Sequence, residues 1–438
     1  MNKKVELILP GGDFKRAKIA LDYGANAVYV GLNKYSLRKG EVRFNISEIK
    51  KIIEYAHSIN KKIYVTFNIF AHEEDLKSVE LDIIKISKLK PDAFIIADLG
   101  VLSIAKKVAP DIPIHISTQA NITNSEQIKF YKKIGVKRVV LARELTLYEI
   151  EKIHREIPEV ELEVFAHGSM CISYSGRCLL SNYMTGRYAN LGDCAQPCRW
   201  NYQLTQAPKN KHQNTNKLLT IDSKYKTQNS KYYLEEAQRK GEYFEIEETE
   251  SGTNILSSKD LCTIEHIEEM IKSGITGFKV EGRNKTEYYL ASVALAYRQA
   301  IDLSLKNIYS KNENKKLKKD LLKIAHRDYT TGFLFNEAKK GETYEGRSPI
   351  QGWEYIGLVT KNLELKAKNY HEVIVKNKIK KGQSVEVLTP KGIKKDKILE
   401  IIVDKNTVDE INPGKESQKA LVSLKIIYPK DSLIRKRI

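Results

Sequence analysis

Short apolar runs recur through the first 170 residues, and stretches of helical periodicity separate them. The runs are VELIL (5–9), AVYVG (27–31), KIYVTFNI (62–69), AFIIAD (93–98), IHIST (114–118), RVVLA (138–142) and ELEVFAHG (161–168). Between them, segments such as ISEIKKIIEYAHSI (46–59) place apolar residues at i, i+3, i+4 and i+7. Ser47 is the expected cap of that helix. Ser125 is the expected cap of SEQIKFYKKIG (125–135), which stops at Gly135. Strand–helix alternation at this spacing predicts βαβ units and a parallel sheet. An eighth strand, GFKVEG (277–282), follows a helical pattern over 261–274 and precedes a long one over 286–305. Eight units predict an α/β fold of the TIM-type (βα)8 barrel class, with a large insertion after strand seven. The competing open, doubly wound sheet is less favoured, because no G-x-G-x-x-G follows the first strand.

Residues 205–250 are polar and weakly periodic, with a short hairpin expected within 232–247. Residues 306–320 read as a basic linker or a helix start. From about 350 the texture changes to short alternating strands, which predicts a small β-barrel domain. The expected division is a barrel over 1–340, interrupted by an insertion at about 170–260, and a basic β-domain over 350–438.

Composition narrows the class. Of the 438 residues, 41% are hydrophobic and 29% charged, which excludes a largely disordered chain. The longest apolar runs fall far short of the roughly 20 residues that span a bilayer, so no membrane association is expected. The start, MNKKVELILPGG, lacks the apolar core of a signal peptide, and a cytoplasmic location is the expectation. The net charge of +19 suggests a polyanionic partner such as RNA or DNA; the alternative is a generally lysine-rich composition. Residues 361–438 hold 19 basic and 10 acidic side chains, about half of the surplus.

Four of the five cysteines, Cys171, Cys178, Cys194 and Cys198, fall within 28 residues with spacing C-x6-C-x15-C-x3-C. Four thiolates suit a tetrahedral zinc ion or a 4Fe-4S cluster, and spacing leaves both open beside a set of buried thiols. The segment begins just after strand seven, at the end of the barrel where this fold carries its active sites. Cys262 stands apart and reads as a core or helix-start thiol.

The other strand ends carry polar residues that an apolar barrel does not require. Asn68 follows strand three, Ser117, Gln119 and Asn121 follow strand five, and Arg143 and Glu144 follow strand six. His167 ends strand seven, and Lys279, Glu281 and Arg283 belong to strand eight. His167, Glu281, Arg283, Arg143 and Glu144 are the catalytic candidates; Asn68, Gln119, Asn121 and Lys279 are the substrate-binding ones. Each has a plain alternative: a packed histidine, a helix cap or a rim ion pair. Arg143 and Arg283 are suited to fork a substrate carboxylate. No G-x-S-x-G elbow, H-E-x-x-H helix or P-loop occurs.

HGSMC (167–171), SGRC (175–178), GDCAQPCRW (192–200), SSKDL (257–261), KVEGR (279–283) and HRDYTTGF (326–333) together resemble the collagenase-like peptidase family of unknown catalytic type. Within that family the chain is similar to the branch that modifies tRNA. The resemblance runs from LPGG (9–12) to the C-terminal β-domain. It implies a TIM-like barrel with a small β-barrel domain. It also implies a role in forming 5-hydroxyuridine at the tRNA wobble position without molecular oxygen, with prephenate as an associated small carboxylate metabolite. By the same likeness Cys171, Cys178, Cys194 and Cys198 are ligands of a 4Fe-4S cluster, with Cys262 as an alternative fourth ligand to Cys198. The family label leaves peptide hydrolysis as a second expectation, and a non-catalytic RNA-binding factor as a third. The family usually has Asn where this chain has Ser257.

Overall fold

The computed structural model describes residues 5–32, 44–170, 173, 175, 180, 232–235, 243–249, 252–254, 259–335, 352–365, 368–414 and 418–438. The apolar runs form strands β1 (Glu6–Pro10), β2 (Ala27–Gly31), β3 (Lys62–Phe67), β4 (Ala93–Ile96), β5 (Ile114–Ile116), β6 (Arg138–Val140) and β7 (Glu161–Ser169). Helices α1 (Phe14–Asp22), α2 (Ile46–Ser58), α3 (Glu73–Ser87), α4 (Leu99–Val108), α5 (Ser125–Lys133) and α6 (Leu147–Glu156) connect them. A small antiparallel sheet follows, made of β8 (Tyr232–Glu235), β9 (Tyr243–Thr249) and β10 (Gly252–Asn254), with the expected hairpin between its first two strands. Then come β11 (Asp260–Cys262), α7 (Ile267–Lys272), β12 (Ile275–Val280), α8 (Glu287–Leu305), α9 (Lys311–Leu321) and β13 (Tyr329–Thr330).

Strands β1 to β7 pair in parallel in sequence order. β12 pairs in parallel with both β7 and β1 and so closes an eight-stranded barrel. Residues alternate sides along each strand. Leu7, Val28, Val65, Phe94 and Ile116 face the helices in one large core, whereas Ile8, Tyr29, Tyr64 and Ile95 fill the interior.

Three local expectations change. The cap of α2 is Asn45, not Ser47: its side chain accepts from the Glu48 N–H while the Glu48 carboxylate takes the Asn45 N–H. Asn124, not Ser125, caps α5. The single helix expected over 261–274 is divided into β11, a short 3-10 turn and α7. β7 continues past the barrel wall, and β11 pairs antiparallel with that extension, Cys262 opposite His167.

The C-terminal region forms β14 (Trp353–Leu365), β15 (Lys368–Val375), β16 (Ile379–Lys380), β17 (Ser384–Thr389), β18 (Gly392–Lys397), β19 (Glu400–Val403), β20 (Asn406–Val408), β21 (Glu410–Ile411), β22 (Lys419–Ser423) and β23 (Leu433–Arg437). Eight of these make an antiparallel sheet in the order β18-β17-β23-β14-β15-β22-β19-β20, and β16 pairs with β21. One face of this sheet joins the barrel's helical layer. Tyr355, Leu358, Leu388 and Leu433 belong to the same core as α8, and Tyr355 stacks on Tyr288 with ring centres 5.5 Å apart. The fully buried Arg435 guanidinium holds Glu386 at 2.6 Å and reaches Asp320 and the Tyr288 hydroxyl at 3.3 Å each. Among the described residues, no helix is long and apolar enough to cross a membrane.

Candidate functional site

Many inward positions of the barrel carry charge where aliphatic carbon would suffice. At the N-terminal ends of the strands, Arg138 lies 2.8 Å from Glu6 and 3.3 Å from Glu163, and the Tyr64 hydroxyl donates to Glu6 at 2.6 Å. Burial opposes the charge on Glu6. Arg138 and hydrogen bonds from Lys62 and Tyr64 prevail and lower its pKa to about 2. His115 stands edge-on to Tyr64; burial first, then Arg138 and Lys279, keep its pKa well below the ordinary histidine value.

One layer closer to the mouth, Lys279 donates to Glu163 at 2.7 Å, and both side chains are buried. The Lys279 ammonium lies 4.5 Å from the centre of the Tyr29 ring. Burial lowers the Lys279 pKa, and Glu163 opposes the shift. The Tyr29 hydroxyl donates to the Val280 carbonyl at 3.0 Å. Burial raises its pKa; Arg283 and Arg143 pull it down while Glu281 and Glu163 push it up, so all four charges converge on this phenol.

At the mouth, the Arg283 guanidinium sits 5.4 Å from the Tyr29 ring centre and donates to the Thr66 hydroxyl at 3.2 Å. The loop that carries it is held by Arg16, which donates to the carbonyls of Arg283 and Lys285. Arg143 stacks 4.0 Å from the Phe165 ring centre and donates to the Ser169 carbonyl at 3.0 Å. Among the described residues its Nε is buried with no hydrogen-bond partner. So are Asn68 Oδ1, Gln119 Oε1 and Asn121 Oδ1. Asn121 takes a left-handed backbone (φ 55°) after the turn that Ser117 caps, and Thr118 ties that turn to the Leu141 carbonyl. Four buried polar atoms thus lack partners among the described residues at the open end of one barrel.

The remaining candidates divide. Glu281 flanks the mouth: its N–H donates to the His167 carbonyl and its own carbonyl accepts from Tyr289. Glu144 serves as a tether, because its carboxylate accepts from the Ser175 N–H at 3.0 Å. His167 stands apart from the mouth. The β7–β12 register shifts between Lys279 and Val280, so His167 lies opposite Val280, a residue of the helix-facing core. Its ring packs among Tyr289, Tyr297 and Tyr329 at 5.5–5.8 Å. Burial pushes its pKa down to about 3, against the pull of Asp260. Gly168 beside it has φ +110°, and a Cβ there would lie 2.6 Å from the Glu281 carbonyl oxygen, so the glycine lets these two segments touch.

Cys171, Cys178, Cys194 and Cys198 lie outside the described residues. Their neighbours Met170 and Ser175 are described. Met170 lines a small cavity with Arg143, Phe165 and Leu261, and Ser175 is bound to the loop after β6. Cys262 is a buried strand residue rather than a helix-start one. Burial raises its thiol to about 11, and the Tyr297 hydroxyl approaches its sulfur. Among the described residues, no three His, Cys, Asp or Glu side chains are grouped to hold a metal ion.

The strand-end reading overlooked the interior polar residues Glu6, His115, Arg138 and Glu163. Their signal is a charged or polar side chain at an inward position of an otherwise apolar strand, as in the alternation of ELEVF (161–165).

Comparison with known proteins adds ancestry. Residues 12–344 match Peptidase family U32, and residues 351–435 match the Peptidase family U32 C-terminal domain. The chain is 38% identical over 403 residues to "tRNA hydroxylation protein P" of Escherichia coli (strain K12), covering 89% of this chain and 87% of the relative. It is 37% identical over 422 residues to the protein of that name from Haemophilus influenzae, covering 93% and 90%. It is 29% identical over 396 residues to the E. coli "23S rRNA 5-hydroxycytidine C2501 synthase", covering 89% of this chain and 53% of the relative.

Proposed function

The chain belongs to Peptidase family U32, and from that premise we propose that it is an RNA-modifying enzyme that hydroxylates a pyrimidine base. The finer reading is oxygen-independent conversion of the tRNA wobble uridine to 5-hydroxyuridine, with prephenate as the associated carboxylate. The names of the relatives support the RNA hydroxylation class. One observation carries the reading: Asn68, Gln119, Asn121 and Arg143 each bury a polar atom without a partner among the described residues at the barrel mouth.

An unpaired buried polar group costs about 1–3 kcal/mol, which a ligand that supplies the missing bond recovers. Side-chain amides match the donor and acceptor edge of a pyrimidine, and anticodon-loop bases unstack readily enough to enter such a mouth. The Arg143 and Arg283 guanidiniums, stacked on Phe165 and Tyr29, suit the carboxylates of a prephenate-like molecule. Lys279 and Glu163 beneath them fix the Tyr29 platform and keep charge close to the bound base.

Replacing C5–H by C5–OH with the oxygen of water releases two electrons and two protons, so the reaction needs a two-electron acceptor. We assign a 4Fe-4S cluster to Cys171, Cys178, Cys194 and Cys198, on the chemistry of four thiolates following β7; such a cluster supplies one-electron redox steps. Zinc is the alternative. Iron and acid-labile sulfide analysis of anaerobically purified wild type and Cys171→Ala separates the two: the cluster predicts iron and sulfide lost together in the variant. Zinc in the wild type, or undiminished iron in the variant, contradicts the assignment.

Peptide hydrolysis would seat its base at His167, whose buried aromatic setting favours a structural role instead. Nucleoside analysis of tRNA from a strain lacking this chain tests the function, and loss of the hydroxylated uridine is expected.

A further inference from the structure

Lysines of the C-terminal domain fall into paired and unpaired sets; Lys381 and Lys405 are exposed without a carboxylate partner among the described residues, each standing singly. On the far strands, Lys361 and Lys419 share Glu372, Lys378 and Lys380 share Glu410, and Lys436 pairs with Glu354. The edge strand β18 and the nearby loop 425–430 differ. Lys391, Lys394, Lys395, Lys397, Lys425 and Lys430 are exposed, and none has a carboxylate partner among the described residues. The acids of this neighbourhood are already engaged: Glu386 with Arg435 and Lys323, Asp431 with Lys18. Asp396 accepts from the N–H groups of Lys425 and Ile426 and from the Tyr428 hydroxyl. Those three bonds hold the loop against the Asp396 face of β18, which also carries Lys394, while Lys395 and Lys397 lie on the Glu386 face; the two sets flank the edge of the sheet.

The edge also has a direction. Leu388 on β17 accepts from Tyr23, just past the end of α1 at the closed end of the barrel. Glu386 connects through Arg435 to Tyr288 in the first turn of α8, close behind the mouth residues. On β18, Lys395 lies opposite Glu386 and Lys397 opposite Ser384. Lys395 and Lys397, on one face of the edge strand, therefore lead from the closed end toward the mouth. Alternate strand residues repeat at about 6.6 Å, a spacing comparable to that of successive phosphates along a nucleic-acid strand.

We propose that β18 and the loop 425–430 form a docking track for the phosphodiester backbone of the RNA, holding it while one base enters the barrel mouth. This rests on the RNA reading above. A polyanion is the occupant that an unneutralised lysine row selects, because each contact releases a condensed counterion.

The test uses the full chain with all four substitutions Lys391→Gln, Lys394→Gln, Lys395→Gln and Lys397→Gln. The control carries Lys361→Gln and Lys419→Gln. Fluorescence anisotropy with an unmodified tRNA transcript is read across a salt series. The track predicts that the quadruple variant binds at least tenfold more weakly at low salt. Its slope of log K against log salt should fall by about 3, with the control near wild type. Wild-type affinity and slope in the quadruple variant overturn the track, even if that variant loses binding to phosphatidylglycerol vesicles. A wild-type protein with no affinity for tRNA removes the RNA reading itself, which is a distinguishable result.

Discussion

Lys279 and Glu163 face each other inside the barrel at 2.7 Å, on the adjacent strands β12 and β7 and both out of reach of water. Their pairing joins the platform under the mouth to the charge network at the closed end, because Glu163 also receives Arg138. Removing one partner of a buried pair strands the other charge, and the loss is about 3–5 kcal/mol. Lys279→Met leaves Glu163 with Arg138 alone and should lower stability by about 3 kcal/mol. Lys279→Met combined with Glu163→Gln should recover part of it, since both charges leave together. Urea unfolding of the three proteins checks this, and additive losses would count against the coupling.

Acid should destabilise the fold before the carboxylates titrate. His167 is held neutral, with its pKa at about 3 against an ordinary 6.5. Below pH 6.5 the unfolded chain binds a proton that the folded chain refuses. The stabilisation is thus complete above pH 6.5 and is lost as the pH falls toward 3. This one group contributes a slope of about 1.4 kcal/mol per pH unit across that window. His167→Phe, which suits the tyrosine pocket, should flatten the pH dependence of unfolding by that slope. An unchanged profile would mean that His167 titrates normally.

Arg435 locks the β-domain onto the barrel through Glu386, Asp320 and Tyr288. Arg435→Met fills similar volume but leaves Glu386 with Lys323 alone. A destabilisation of about 3 kcal/mol is expected, read as a lowered thermal midpoint. A midpoint within a degree of wild type would show that the interface draws nothing from this guanidinium.

Arg143→Lys keeps the charge and removes the planar fork that stacks on Phe165. Hydroxylated uridine in tRNA should fall at least tenfold in cells that carry only this variant, with thermal stability close to wild type. Full modification would place substrate recognition elsewhere.

The barrel was legible because its strands are short apolar runs whose side chains face two dry layers; AVYVG (27–31) became β2 without change. Helix starts were read one or two residues late, although Asn45 and Glu48 carry the spacing of a capping box. The helical periodicity of 261–274 hid β11. What makes Asp260–Cys262 a strand is the unpaired extension of β7, which local pattern does not record. The polar strand ends Asn68, Gln119, Asn121, Arg143 and Arg283 lie together at the mouth. His167 has the same kind of sequence position, but the shifted register against Val280 turns it into the aromatic layer. The interior polar residues were missed because they sit within strands, where the pattern reads as core.

The most direct measurement is mass spectrometry of tRNA nucleosides from a strain lacking this chain, complemented with wild type or with Asn121→Ala. Hydroxylated uridine should be absent from the deletion, return with the wild-type chain and stay low with the mouth variant. A deletion strain whose tRNA keeps its full content of that nucleoside would contradict the assignment.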